Sequence, residues 1–332
     1  MPGIFEGDLD YRFMTYQLPS NPPISDKTGN RQYWGQLYGS AQALTIVNAA
    51  RAYKGLSLVV TSDTNTAIRL ESELSFFAKG SEPLPVLHLA DWETLPYDSI
   101  SPHQDIISER LSTLYKLPGV KQGILVVPVT TLLQRLMPQS YLIGNSLMVS
   151  VGEKFDANEL RQNLERAGYH CVDTVYEHGE FAVRGSLMDI FPMGSDVPYR
   201  IDLFDDEIES LRTFDPETQM TVDKVEKIQL LPAKEFPLNK QGINLFKQQW
   251  LERFDVNHKA CPVFQDVSAG ISPPGIEYYL PLFFESCSTL FDYLPANTLV
   301  YALGDIEKSA ENFWLELLRR YESRRVDPLR PL

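Results

Sequence analysis

The chain has 332 residues, 43% of them hydrophobic and 22% charged, with a formal net charge of −14, as expected for a globular protein of two or three domains, each burying a core of its own. No apolar run approaches the eighteen or so residues that span a bilayer, and no basic leader precedes an apolar stretch, so a cytoplasmic chain with no membrane partner is expected. Three cysteines (Cys171, Cys261, Cys287) without a CxxC pair argue against a disulfide framework or a metal site, and 18 acids against 9 bases in residues 141–234 repel phosphate and favour a protein partner over nucleic acid.

Residues 1–30 are rich in Pro, Ser and Asn and read as a flexible lead-in. From Tyr33 the pattern alternates. A helix is predicted over Ala41 to Tyr53, a strand at LSLVVTS, a helix from Thr64 to Lys79, and a strand at PVLHLAD. A helix from Asp105 to Lys116, a strand at GILVVPV and a short helix from Thr130 follow. Strands separated by helices predict a parallel sheet covered on both faces, so residues 31–138 form an α/β domain.

The turn before the first helix is where such a domain would hold a phosphate. Counted from Gly39, the second glycine, the lysine and the hydroxyl of a P-loop fall on Leu44, Thr45 and Ile46. Without the lysine charge no ATP hydrolysis is expected there. Trp92, Tyr97 and His103 lie in a long loop without a neighbouring nucleophile pattern and read as packing. His88, in an apolar strand, reads as a satisfied core histidine.

Residues 139–234 change character. Asp156 and Glu159 suggest a capping box before a helix whose stripe of Leu160, Leu164 and Ala167 stops at Gly168. Strands then dominate, with turns at Arg184-Gly185, Asp205-Asp206 and Asp215-Pro216, which makes this an α+β domain with an antiparallel meander. Within EHGEFAVRGSLMDIF, Glu177 to Phe191, Arg184 is the only Lys or Arg between Arg166 and Arg200. Its planar fork beside Phe181 and Glu180 suits a partner's carboxylates, and the competing reading is a surface arginine balancing local acids.

Helices return in residues 235–332: Asn239 to about Phe254, an aromatic segment GIEYYLPLFF, a strand TLVYAL and a long helix from Asp305. The stripe Ile306, Ala310, Phe313, Trp314, Leu317, Leu318 and Tyr321 is expected to lie on a core. The ending DPLRPL reads as the edge of a fragment of something longer.

HLADWETLPYDSISPHQDIISERLSTLYKL, YEHGEFAVRGSLMDIFPMGS, GIEYYLPLFF and FDYLPANTL resemble the N-terminal part of the bacterial transcription-repair coupling factors, from about Tyr33 onward. That part is similar in turn to the excision-repair protein UvrB through FAVRG, FDDEIESLRTFDP and GIEYY. The resemblance implies a degenerate helicase-like, P-loop-type α/β module. It is formed by two pieces, 1A (31–138) and 1B (235–332), with the α+β domain 2 (139–234) inserted between them. Leu303-Gly304 stands about where UvrB carries its metal-binding acidic pair.

It further implies a non-catalytic, monomeric module whose domain 2 binds UvrA. Arg184 matches one family arginine, and His170 stands where a second is usual, so that contact is expected to be weaker, pH-sensitive or made by something else. No cofactor is expected in this chain. ATP and Mg belong to a motor C-terminal to it, as do the contacts to RNA polymerase and DNA, and in the family a C-terminal domain masks the UvrA surface. The alternatives are an ATP-dependent helicase or translocase domain and a direct DNA-binding module.

Overall fold

In the computed structural model, which describes residues 20, 22–24, 29–80, 82–154 and 156–332, regular structure begins at helix α1 (Ala41–Tyr53). Most of the expected lead-in over residues 1–30 lies outside the described residues. Helix α1 ends on Lys54, whose left-handed φ of 57° lets its N–H reach back to Ala50 O. Strand β1 (Leu56–Thr61) follows, and Asp63 caps α2 (Thr64–Ala78) by accepting the Thr66 N–H at 2.8 Å. Next come β2 (Val86–His88), α3 (Gln104–Lys116) and β3 (Gly123–Pro128), then the short helices α4 (Val129–Leu132) and α5 (Gln139–Gly144). Every residue of β1 and β3 is buried, as expected for parallel strands covered on both faces.

Strand β4 (Leu147–Ser150) opens the inserted region. Helix α6 (Ala157–Arg166) is capped by Asp156, which accepts the Asn158 and Glu159 N–H groups. Six strands follow: β5 (His170–Cys171), β6 (Glu180–Arg184), β7 (Leu187–Ile190), β8 (Tyr199–Phe204), β9 (Glu207–Phe214) and β10 (Thr221–Val225). They form one sheet in the order β10-β9-β8-β7-β6-β5, antiparallel except for the parallel β5/β6 edge. Strand β11 (Lys227–Leu230) then pairs antiparallel with β4, so the chain leaves the insert beside the point where it came in.

The last third holds α7 (Lys240–Arg253), α8 (Pro262–Ser268), a 3-10 helix at Ile276–Phe283, β12 (Leu299–Leu303) and α9 (Ile306–Arg324). β12 joins β1 in parallel, giving a four-stranded sheet ordered β12-β1-β3-β2. One α/β module is thus assembled from two pieces of sequence with the second sheet inserted between them.

Two expectations change. The cores are not wholly separate: beside a cluster of its own around Val47, Leu70 and Val126, the α/β module shares one contiguous cluster with the insert, from Leu58 and Leu125 through Phe181, Ile190 and Ile201 to Phe246 and Trp250. The stripe on α9 also does not lie fully on a core. None of its residues is buried, and Trp314 and Leu318 are 56% and 42% exposed. The stripe is wider than the surface it meets, so its margin stays in solvent.

A buried ion pair ties the pieces together. Arg110 on α3 is fully buried, and its Nε donates to Glu235 Oε1 at 2.8 Å. Its Nη1 donates to Ala90 O at 2.6 Å. Trp92 Nε1 donates to the other Glu235 oxygen at 3.1 Å, and the guanidinium stands 5.1 Å from the Trp92 ring centre. Trp92 is therefore a packing residue of this node. His103 accepts the Asp105 N–H at the start of α3, and buried His88 sits 3.2 Å from Glu71 and 3.4 Å from Glu109. Burial opposes a charge on His88, but hydrogen bonds to Glu109 and Glu71 outweigh it and raise its pKa to about 9.

Removing one partner of the Arg110–Glu235 pair strands the other without its counter-charge. Arg110→Met or Glu235→Gln is expected to lower stability by about 3–5 kcal/mol, and the double replacement by less than the two single losses added together. Urea unfolding of the three variants checks this, and single losses under about 0.5 kcal/mol would contradict it.

Candidate partner-docking face

A strand presents its side chains to two faces in turn, and the register of the six-stranded sheet fixes which residues share each. Arg184 pairs with Leu187, Leu187 with Asp202, and Asp202 with Ser210; Ala182, Asp189, Arg200 and Arg212 continue the same face two residues away on their strands. The opposite face carries Phe181, Met188, Ile190, Ile201 and Leu211 into the main core. The outer face keeps only a small apolar cluster of Val175, Ala182, Phe191 and Phe214.

Arg184 is the last residue of β6, and the turn itself is Gly185-Ser186, where Gly185 takes a φ of +63° that glycine adopts at little cost. The arginine is exposed. Its Nη2 donates to Asp173 O at 2.6 Å and to Thr174 Oγ1 at 3.2 Å, which pins the guanidinium along the preceding loop. Nε and Nη1 have no hydrogen-bond partner among the described residues. Glu180, on the same face, braces that loop from its other end. Its Oε2 accepts the Tyr176 N–H at 2.8 Å and the Glu177 N–H at 3.0 Å, so this carboxylate is committed to the scaffold.

Phe181 is corrected. It is fully buried within the main core and cannot touch a partner, because an offset of three residues on a strand places it on the face opposite Arg184. His170 is exposed and pairs with Glu180 at the edge of the sheet. Partial loss of solvent and then the nearby Lys234 hold its pKa below the usual histidine value, so the ring is a neutral donor rather than a cation at neutral pH. Asp189 and Arg200 were not singled out by sequence. Arg200 grips buried Asp189 through Nε at 2.7 Å and Nη2 at 2.9 Å and lies 5.0 Å from the Phe214 ring centre, fixing the middle of the face.

The expected phosphate turn is built differently. Among the described residues no strand precedes it, since residues 30–38 are irregular and β1 comes after α1. Gly39 has a φ of +54°, and Leu44, Thr45 and Ile46 all lie inside α1. Thr45 is fully buried with its Oγ1 donating to Ala41 O, and Ile46 is 3% exposed. Leu303 ends β12 beside Thr61 and Gly304 follows it, and the neighbouring Asp63 and Asp305 serve as helix caps.

The profile of the family described as UvrB interaction domain matches residues 147–236, the inserted sheet and its two-stranded base. A transcription-repair-coupling factor from Escherichia coli K12 is 50% identical over 92% of this chain and 26% of its own length. This chain belongs to the transcription-repair-coupling factor family. The relative from Haemophilus influenzae is 45% identical over 94% of this chain and 27% of its own length, and that from Myxococcus xanthus 33% over 89% and 26%. The chain thus spans about a quarter of the length of the curated relatives it matches. Among the described residues no helix is long and apolar enough to cross a membrane, and no group of His, Cys, Asp and Glu could hold a metal ion.

The two faces predict opposite behaviour. Phe181→Ala is expected to cost about 3–5 kcal/mol of stability, and Arg184→Ala no more than about 0.5 kcal/mol. Thermal or chemical unfolding checks both; equal losses would mean that Arg184 is structural.

Proposed function

We propose that this chain is a non-catalytic recruitment module of a transcription-coupled repair factor, docking UvrA on the outer face of its inserted sheet. The observation that carries the reading is Arg184, exposed at the end of β6 and held by Asp173 and Thr174 with two guanidinium nitrogens to spare, within the segment that matches the UvrB interaction domain. An anchor pinned before binding loses little conformational freedom on docking. His170 supports the contact as a neutral donor at the edge, and Glu180 acts by holding the loop.

Residues 41–53 and β1, β2, β3 and β12 serve as scaffold in this reading. No lysine follows Gly39 in this turn, and Thr45 and Ile46, at the positions of the P-loop lysine and hydroxyl, are buried within α1, which supports a module without ATP or Mg of its own. In the intact factor, ATP-driven translocation on DNA and the RNA polymerase contact belong to regions outside this chain, and this module delivers excision repair to the stalled polymerase. The net charge of −14 weighs against a direct DNA-binding role. A cytoplasmic monomer is the form in which we place it.

UvrA capture by the wild-type chain is expected to fall about thirtyfold in Arg184→Ala, the effect of losing an anchor of roughly 2 kcal/mol, with the melting temperature unchanged. Undiminished capture would overturn the assignment. In the same preparation ATP with Mg is expected to leave the melting temperature where it was, and a rise would restore the nucleotide-site reading.

A further inference from the structure

The outer face of the inserted sheet departs from the acidity of the chain around it. By register it carries Arg184, Arg200, Arg212 and Lys224, the last directly opposite Arg212, against the carboxylates of Glu180, Asp189 and Asp202, and Glu180 is taken up by the Tyr176 and Glu177 N–H groups. Arg200 and Asp189 cancel in their two-pronged pair. Arg212 is poorly satisfied. Its only carboxylate is Asp202 at 3.9 Å, beyond hydrogen-bond distance, and its Nε is buried with no hydrogen-bond partner among the described residues. Its side chain is 39% exposed, so the rest of the fork is open to solvent. An under-bonded guanidinium half sunk in a sheet face is costly unless a partner completes it.

We infer that Arg212, with Lys224 beside it, is a second cationic anchor on the Arg184 face and takes carboxylates from an acidic surface of the docking protein. The inference rests on the UvrA reading and adds contacts to it. Arg184 and Arg212 stand three strands apart, about 14 Å across the sheet at the usual strand spacing, and two residues, roughly 7 Å, apart along the strands, so the partner must present at least two separated acidic groups. A protein surface fits better than a nucleic acid. An extended polyanion would also run over the acidic turn at Asp205-Asp206 and over Asp223 on β10, whereas a protein can place its acids only where the cations are.

The test is binding to immobilised UvrA by wild type, Arg212→Gln, Arg212→Lys, Lys224→Gln and Arg184→Ala at two salt concentrations, with a melting curve for each. Arg212→Gln is expected to weaken binding about tenfold and to flatten its salt dependence; Lys224→Gln is expected to weaken it less, and Arg212→Lys to keep part of the affinity. Wild-type binding by Arg212→Gln, with binding lost in Arg184→Ala, would overturn this inference and leave the UvrA reading standing. Wild-type binding by both variants would overturn both. Should Arg212→Gln melt lower, Lys224→Gln and Arg212→Lys decide, and wild-type salt dependence in Lys224→Gln would count against the strip. Self-association of the chain, or duplex DNA binding, that disappears in Arg212→Gln would give the strip to a second copy or to phosphates and overturn the assignment to a protein's carboxylates.

Discussion

A guanidinium with no exposure to solvent needs a carboxylate, and Arg110 on α3 finds one 125 residues further on, at the point where the chain leaves the inserted sheet. Glu235 spends both oxygens on this node, one on Arg110 and one on Trp92. The pair fixes α3, the loop after β2 and the exit of the insert at one place. It is costly to assemble and costlier to break on one side, which makes it a registration device more than a source of net stability.

From that point the insert is seated on α3. His178 meets Asp105 through Nδ1 at 2.7 Å and Ser195 O through Nε2 at 2.7 Å, and Gly194 N–H donates to Ser108 Oγ at 2.8 Å. Gly194, at a φ of +82°, lies so close to Leu231 that an added Cβ would fall 2.7 Å from its side chain. With the shared apolar cluster, these contacts make the inserted sheet an extension of the α/β module rather than a tethered domain. A docking face presented this way is fixed in orientation before a partner arrives, so little of the binding energy is lost to ordering.

Much of this was legible in residues alone. LSLVVT and GILVVP are apolar at every position, which only strands covered on both faces require, and Asp63, Asn239 and Asp305 announce their helices as caps. The face of Phe181 is legible too, since an odd offset from Arg184 forces opposite sides whatever their proximity in sequence. Other features were not legible. A lone arginine in the amphipathic α3 looks solvent-facing until Glu235 folds onto it, and the apolar width of α9 says nothing about how much core awaits it. The pairing of β12 with β1 and the capture of Asp189 by Arg200 depend on contacts that no local pattern encodes.

The account holds that a rigid α/β scaffold without its own nucleotide chemistry presents the outer face of an inserted sheet to UvrA. Amide hydrogen exchange of this chain, alone and with UvrA, reads that claim most directly. Slowed exchange is predicted across residues 170–187 and along β9, with α1 and the turn after Gly39 unchanged. Protection centred on residues 37–46, with none across residues 170–187 or β9, would contradict it.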